Sequence, residues 1–198
     1  MGTRNKTELI YNGEKIINQY GQWDGYPGTG TNAIVEQINK GYLEKVISNV
    51  NLLNYVTPQY VDTVIFGKVP EQTFAPYSDR YNKFEKDRYK INVESEYKIK
   101  LPDLIAKLME KYDHQYVADV FTLTRDTGYN IIEVIAILLD YDVKVNIYKS
   151  DYEGFDIEAI NTIDYDNKKL NLIWHDEKRT WTFDDLPNLE ELKALEKY

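Results

Sequence analysis

The chain has 198 residues, no cysteine, and 33 Asp/Glu against 24 Lys/Arg, for a formal net charge of −9. That length buries a core without covalent staples, and the missing cysteines exclude a disulfide framework, a thiolate metal site and a cysteine nucleophile, which suits a cytoplasmic setting. The charge is uneven: residues 151–198 hold 13 acidic and 6 basic side chains, so general nucleic-acid binding is not expected, and the acidic end suits either a basic protein surface or solubility alone. No apolar run reaches the roughly 18 residues of a membrane span, and Met1-Gly2-Thr3-Arg4-Asn5-Lys6 lacks the apolar stretch of a signal peptide.

The first element is written around Asn12-Gly13, which separates two strand-like runs. Asn and Gly tolerate the positive φ of a type I′ turn, so residues 6–20 are expected to form an antiparallel hairpin. Residues 21–32 then carry Gly21, Gly25, Pro27, Gly28 and Gly30, a density of breakers that predicts a loop without regular structure. From Ala33 the period changes. Ile34, Val35, Ile38, Tyr42, Leu43, Val46, Ile47, Val50 and Leu53 follow helical spacing, with Thr31 or Asn32 placed to cap and Gly41 placed to bend.

A second helical piece is expected over 58–66, an irregular connection over 67–80, a charged face over 80–100, a helix over 102–112 and a turn at Thr124-Arg125-Asp126-Thr127-Gly128. The run 131–139 fits helix or strand by periodicity. Its β-branched residues, followed by the alternating Val143-Lys144-Val145-Asn146-Ile147-Tyr148, favour a strand for at least its second half, in a second hairpin. Strands are expected at 155–163, 169–175 and 179–183, the last two joined by Asp176-Glu177-Lys178, with a short helix after Pro187. The class is therefore α+β: an antiparallel sheet built from hairpins, with helices on one face. The chain reads as a single domain over 1–198, mainly helical over 33–112 and mainly strand over 113–198.

The residues with the most chemistry lie in Gln19-Tyr20-Gly21-Gln22-Trp23-Asp24-Gly25-Tyr26-Pro27-Gly28. Gln19 and Gln22 offer amides, Trp23 and Tyr26 stacking faces and Asp24 a carboxylate, while the glycines permit close backbone approach. Such a set can grip a polar planar ligand of the nucleotide kind. The same composition also folds on itself, with the aromatic rings in the core and the polar groups tying down loop amides. The hairpin returns Asp24 toward Thr3, Arg4 and Asn5, and the Arg125-Asp126 turn offers a further ion pair. His114 and His175 have no metal-ligand spacing partner, and no nucleotide or cofactor fingerprint is present. No metal and no cofactor are expected.

Gly2-Thr3-Arg4-Asn5, the hairpin and the Gln-Tyr-Gly-Gln-Trp-Asp-Gly-Tyr-Pro string together resemble an uncharacterised protein family of phages, prophages and bacteria. The resemblance extends to Arg125-Asp126-Thr127-Gly128, to residues 133–149 and to Phe183-Asp184-Asp185-Leu186-Pro187. It departs at Thr29 and Thr31 around Gly30, where the family carries Gly-Gln-Gly, and over residues 55–100. It implies a phage-type interaction protein that binds and inhibits or modulates a host protein, or a component of antiviral defence, acting in the host cytoplasm. A looser resemblance, to N-terminal nucleophile hydrolases, would make Thr3 the nucleophile after trimming and Asp24 its neighbour. Removal of Met1 alone exposes Gly2, and a threonine hydroxyl without its terminal amine lacks a base, so binding is favoured over turnover. Thr3, Arg4, Gln19, Gln22, Trp23, Asp24, Tyr26, Arg125 and Asp126 are the candidate binding residues, with a basic host-protein surface as the expected partner and a polar small molecule as the alternative.

Overall fold

A computed structural model of the chain describes residues 3–21, 24–56, 128–140, 145–148 and 156–197. The hairpin forms as expected. Strands β1 (Asn5–Tyr11) and β2 (Glu14–Gly21) pair antiparallel, and the turn residues Asn12 and Gly13 take φ of 54° and 73°, the left-handed pair that a type I′ turn requires. A register shift between Leu9 and Ile10 bends β1 near its end.

The structure is α+β, but its main sheet is mixed. With β5 (Ala159–Asp164), β6 (Lys169–Trp174) and β7 (Glu177–Thr182), the order is β2-β1-β5-β6-β7. β1 runs parallel to β5, while the other neighbours are antiparallel. Hairpins alone therefore do not build it: the open edge of β1 is taken by a strand more than 140 residues later in the chain, the long crossover that parallel pairing demands. The last turn falls at His175-Asp176, so Glu177 and Lys178 belong to β7.

The expected hairpin over residues 133–149 is absent. Ile131–Leu139 is a helix, α3, in which every residue but Ile137 is buried. A helix apolar on all sides but for one buried residue, Glu133, belongs in a core, and burial overrides the strand preference of its β-branched residues. Val145–Tyr148 is indeed a strand, β4, but it pairs in parallel with β3 (Leu53–Val56), so Leu53 leaves the helical pattern in which its spacing had placed it.

The segment after β2 also departs from expectation. Pro27–Thr31 forms a π-turn that runs directly into helix α1 (Asn32–Asn39). Thr31 is already helical and neither it nor Asn32 caps the helix; the Asn32 amide instead bonds Glu36 one turn on. Gly41, at φ 75°, ends α1 and starts α2 (Tyr42–Ser48). The C-terminal helix α4 (Leu189–Ala194) opens on a complete capping box between Asn188 and Glu191. The readings for residues 58–66, 67–80, 80–100, 102–112 and 124–127 lie outside the described residues.

Pairing registers arrange the inward positions of the sheet in three rungs. Ile17, Leu9, Ile163 and Leu170 form the apolar rung, in one core cluster with Ile34, Val46 and the buried residues of α3. The next rung holds Gln19, Thr7 and Asn161 and ends on Leu172, and the third holds Gly21, Asn5 and Ala159 and ends on Trp174. The polar side chains of both rungs therefore lie beside a second, small apolar cluster of Ala159, Leu172 and Trp174. The opposite face is not plainly solvated, since Glu8, Asn18 and Tyr20 are buried there.

Gly41→Ala should destabilise the protein by about 1–2 kcal/mol, because open space surrounds the position and only the left-handed φ is strained by a Cβ. Urea denaturation checks this; an unchanged midpoint would mean that the chain reverses direction there without needing the left-handed residue.

Candidate functional site

The two polar rungs lie under the glycine-rich segment that the sequence marks for chemistry. Asn5 is at their centre, with no exposure to solvent. Its Nδ2 donates to the Gly21 carbonyl at 3.2 Å, and glycine backbones close around its side chain. A Cβ on Gly21 would lie 2.6 Å from Asn5 Oδ1, one on Gly25 2.6 Å from Asn5 Cβ, and one on Gly128 2.9 Å from Asn5 Oδ1. The glycines do permit close approach, but what they approach is a side chain of the protein itself. Gly128 thus reaches the same side chain from a segment more than 100 residues further along the chain.

The loop is fastened from both ends. Gly25 N–H donates to the Thr3 carbonyl at 3.0 Å, so Gly25 lies against the start of β1. At the far end, Thr31 Oγ1 donates to Asn161 Oδ1 at 2.8 Å, both side chains fully buried. Among the described residues, Asn161 Nδ2 and the Thr7 hydroxyl have no hydrogen-bond partner, each a cost of about 1–3 kcal/mol in a dry interior. Gln37 extends the polar layer to α3. Its Nε2 donates to the carbonyls of Ala33 and Tyr129, and its Oε1 accepts from Glu133 N–H, all at 2.9 Å, which satisfies a first-turn amide of α3.

The candidate residues therefore divide. Thr3 and Gln19 are buried in the seam, and a buried Thr3 hydroxyl is poorly placed to attack a substrate. Arg4 is half-buried, with its N–H donating to Glu158 Oε2 at 2.7 Å and its carbonyl accepting from Glu158 and Ala159 N–H. Asp24, at φ 53°, and Tyr26 face outward. Gln22, Trp23, Arg125 and Asp126 lie outside the described residues. Sequence reasoning missed Thr7 and Asn161, placed Asn5 beside Asp24 without expecting it to be the buried centre, and gave Thr31 a capping role in place of its bond to Asn161. Their signal is faint: Asn5-Lys6-Thr7-Glu8-Leu9 puts polar residues at the inward positions of a strand.

The surface above the seam is aromatic and acidic. The Tyr26 ring, 42% exposed, lies 5.9 Å from that of Trp174, which in turn contacts His175 at 4.3 Å. Helix α4 packs on the π-turn beside Tyr26, and Gly28 N–H donates to Glu196 Oε1 at 2.6 Å. On the opposite sheet face, the Glu8 carboxylate accepts from Lys15 Nζ at 2.6 Å and Thr162 Oγ1 at 3.0 Å and pairs with Lys6 Nζ at 3.1 Å. Burial pushes this carboxyl upward, but the hydrogen bonds and charges of Lys15 and Lys6 outweigh it and hold it below the ordinary range.

Comparison of the chain with protein-family models, curated proteins and solved structures finds no match in any of the three. Among the described residues no group of three or more His, Asp or Glu is placed to hold a metal ion, and no helix is long and apolar enough to cross a membrane.

Two outcomes follow from this geometry. Gly25→Ala should cost about 3 kcal/mol or prevent folding, because its Cβ meets Asn5 Cβ and the Thr3 carbonyl in a close-packed layer, and thermal melting reads the loss. Glu8→Gln should cost about 1–3 kcal/mol near neutral pH. Since the folded carboxyl is lowered, its contribution is complete above the ordinary carboxylate value of about 4.3 and is lost as pH falls through the folded value. Stability of the variant should accordingly fall less steeply in acid, and matching acid limbs in the two proteins would refute the assignment.

Proposed function

We propose that this protein works by binding another protein, as a phage-type interaction protein that inhibits or modulates a host factor carrying a basic surface. The observation that carries this reading is the packing of acidic helix α4 on the Pro27–Thr31 turn, next to the exposed ring of Tyr26. Helix α4 carries Glu190 and Glu191 against Lys193, and an aromatic anchor beside a net negative surface is an arrangement in which the ring supplies contact area and the charges steer the encounter. The Thr3 carbonyl and the loop glycines are engaged in internal packing, which weighs against both a hydrolase built on Thr3 and a nucleotide pocket built on the loop backbone.

The acidic residues are not equivalent in this reading. Glu158, Asp166 and Glu196 accept from backbone amides, and Glu191 closes the capping box. Asp184, Asp185 and Glu190 are exposed, and of these only Glu190 is in an ion pair among the described residues, a 3.8 Å contact with Lys193. These are the side chains assigned to steering.

The test combines Asp184→Asn, Asp185→Asn and Glu190→Gln in one variant and sets it beside Tyr26→Ala. Partners captured from host lysate and identified by mass spectrometry are then followed kinetically. The charge variant should associate more slowly with a flatter salt dependence, and Tyr26→Ala should dissociate about tenfold faster, both with unchanged melting. Wild-type association rates and salt dependence in the charge variant would sink the proposal. So would turnover of an amide or nucleotide substrate that Thr3→Ala abolishes at unchanged melting.

A further inference from the structure

The Asn12-Gly13 turn carries a chemical liability that the fold restrains through one carboxylate. We propose that Asn12 is a site of spontaneous covalent modification, conversion to aspartate and isoaspartate through a ring closed by Gly13, and that Asp166 holds the reaction in check. The inference is independent of the binding function proposed above.

The chemistry needs only water. The Gly13 amide nitrogen, having given its proton to solvent base, attacks Asn12 Cγ. The N–Cγ bond forms, the Cγ–Nδ2 bond breaks, and Nδ2 leaves as ammonia after taking a proton from water. Water then opens the five-membered ring at either carbonyl, giving aspartate or its backbone isomer. Glycine in the second position is the most permissive partner because no side chain obstructs the attack. Both residues are exposed, and no atom lies within 4 Å of where a Gly13 Cβ would be, so solvent reaches the reacting atoms.

What opposes the reaction is the turn between β5 and β6. Asn12 N–H donates to Asp166 Oδ1 and Gly13 N–H to Asp166 Oδ2, each at 2.8 Å. Successive amides of a left-handed turn converge on an anion in this way, and here the anion is a side chain 153 residues away from Gly13. The carboxylate holds the Gly13 proton in a hydrogen bond and places negative charge beside a nitrogen that must become anionic to react. Modification therefore proceeds from openings of the clamp.

The other acidic-or-amide–glycine pair of the loop region supplies a contrast. Asp24-Gly25 can close the same ring, but Gly25 is buried, its N–H donates to the Thr3 carbonyl, and its α-carbon faces Asn5. It has no room to swing, whereas the Asn12-Gly13 turn is restrained by a single exposed carboxylate. Conversion at position 12 would set a new carboxylate beside Asp166, and the isoaspartate product would lengthen the backbone of a two-residue turn whose length sets the hairpin register.

The purified full-length chain is incubated in mildly alkaline buffer, folded and in urea, alongside Asp166→Ala and Asp166→Asn, and the peptide holding Asn12 is mapped for the mass gain and for isoaspartate. The folded wild type should convert more slowly than the urea reference. Asp166→Ala should convert about tenfold faster than folded wild type, the change in opening expected from losing charge-assisted hydrogen bonds. Asp166→Asn keeps the size and one acceptor, and should fall between them even where the alanine variant melts early. Exchange of the Gly13 amide proton should follow the same order. Equal conversion in folded wild type and Asp166→Asn, or no product at Asn12 while the urea reference converts, would overturn the proposal.

Discussion

Asn5 is the residue around which the N-terminal half is organised. A fully buried amide in the middle of a sheet must find partners or cost the fold dearly, and here the chain brings its own backbone to it. Gly21 and Gly25 come from one segment and Gly128 from another far along the chain, and each approaches closer than a Cβ would allow. Gly21 and Gly25 thus follow from main chain packed against one amide, whereas Gly28 meets Glu196 and Lys193 and Gly30 meets Tyr129. The packing on Asn5 acts together with the Gly25–Thr3 and Thr31–Asn161 hydrogen bonds, which hold the loop over the sheet and the π-turn above Asn161.

The polar rungs divide the sheet along its strands. At one end Leu9, Ile17, Ile163 and Leu170 join the helices in an apolar cluster; at the other, Asn5, Thr7, Gln19, Thr31 and Asn161 form a layer of amides and hydroxyls sealed from solvent. A sealed polar layer rewards one arrangement and penalises others, since a slip of register would strand its groups among apolar side chains. Its worth lies in specificity of packing. The chemistry available to a partner is what the surface presents: Tyr26 beside Trp174, and the carboxylates of the C-terminal segment.

Those carboxylates serve two ends. The acidic excess of residues 151–198 reads at first as a matter of solubility or steering, yet Glu158, Asp166 and Glu196 each accept backbone amides of the N-terminal segment, from Arg4, from Asn12 and Gly13, and from Gly28. Acids late in the chain thereby satisfy donors early in it, Glu158 and Asp166 at the two ends of the β1–β5 pairing and Glu196 where the C-terminal helix meets the π-turn. The parallel pairing and these side-chain clamps reinforce each other, and both require the ends of the chain to meet before either is formed, a topology dominated by distant contacts.

The sequence by itself determined the elements whose cause is local. Asn12-Gly13 demanded the hairpin because few other residue pairs accept two consecutive left-handed conformations, Gly41 interrupted its helix for the same reason, and the alternating runs near the end announced β5, β6 and the short helix after Pro187. Only the tertiary structure decided the rest. Whether 131–139 was helix or strand depended on being surrounded by apolar neighbours, which its own period cannot report. The partners of β1 and β4 depended on segments far away in the chain, and the burial of Asn5, Thr7 and Asn161 depended on the registers that aligned them. The glycines of the loop were legible as places of close approach, but what approaches them is set by tertiary packing that brings in residues as far away as Gly128, Glu196 and Tyr129, and no local pattern of residues encodes that.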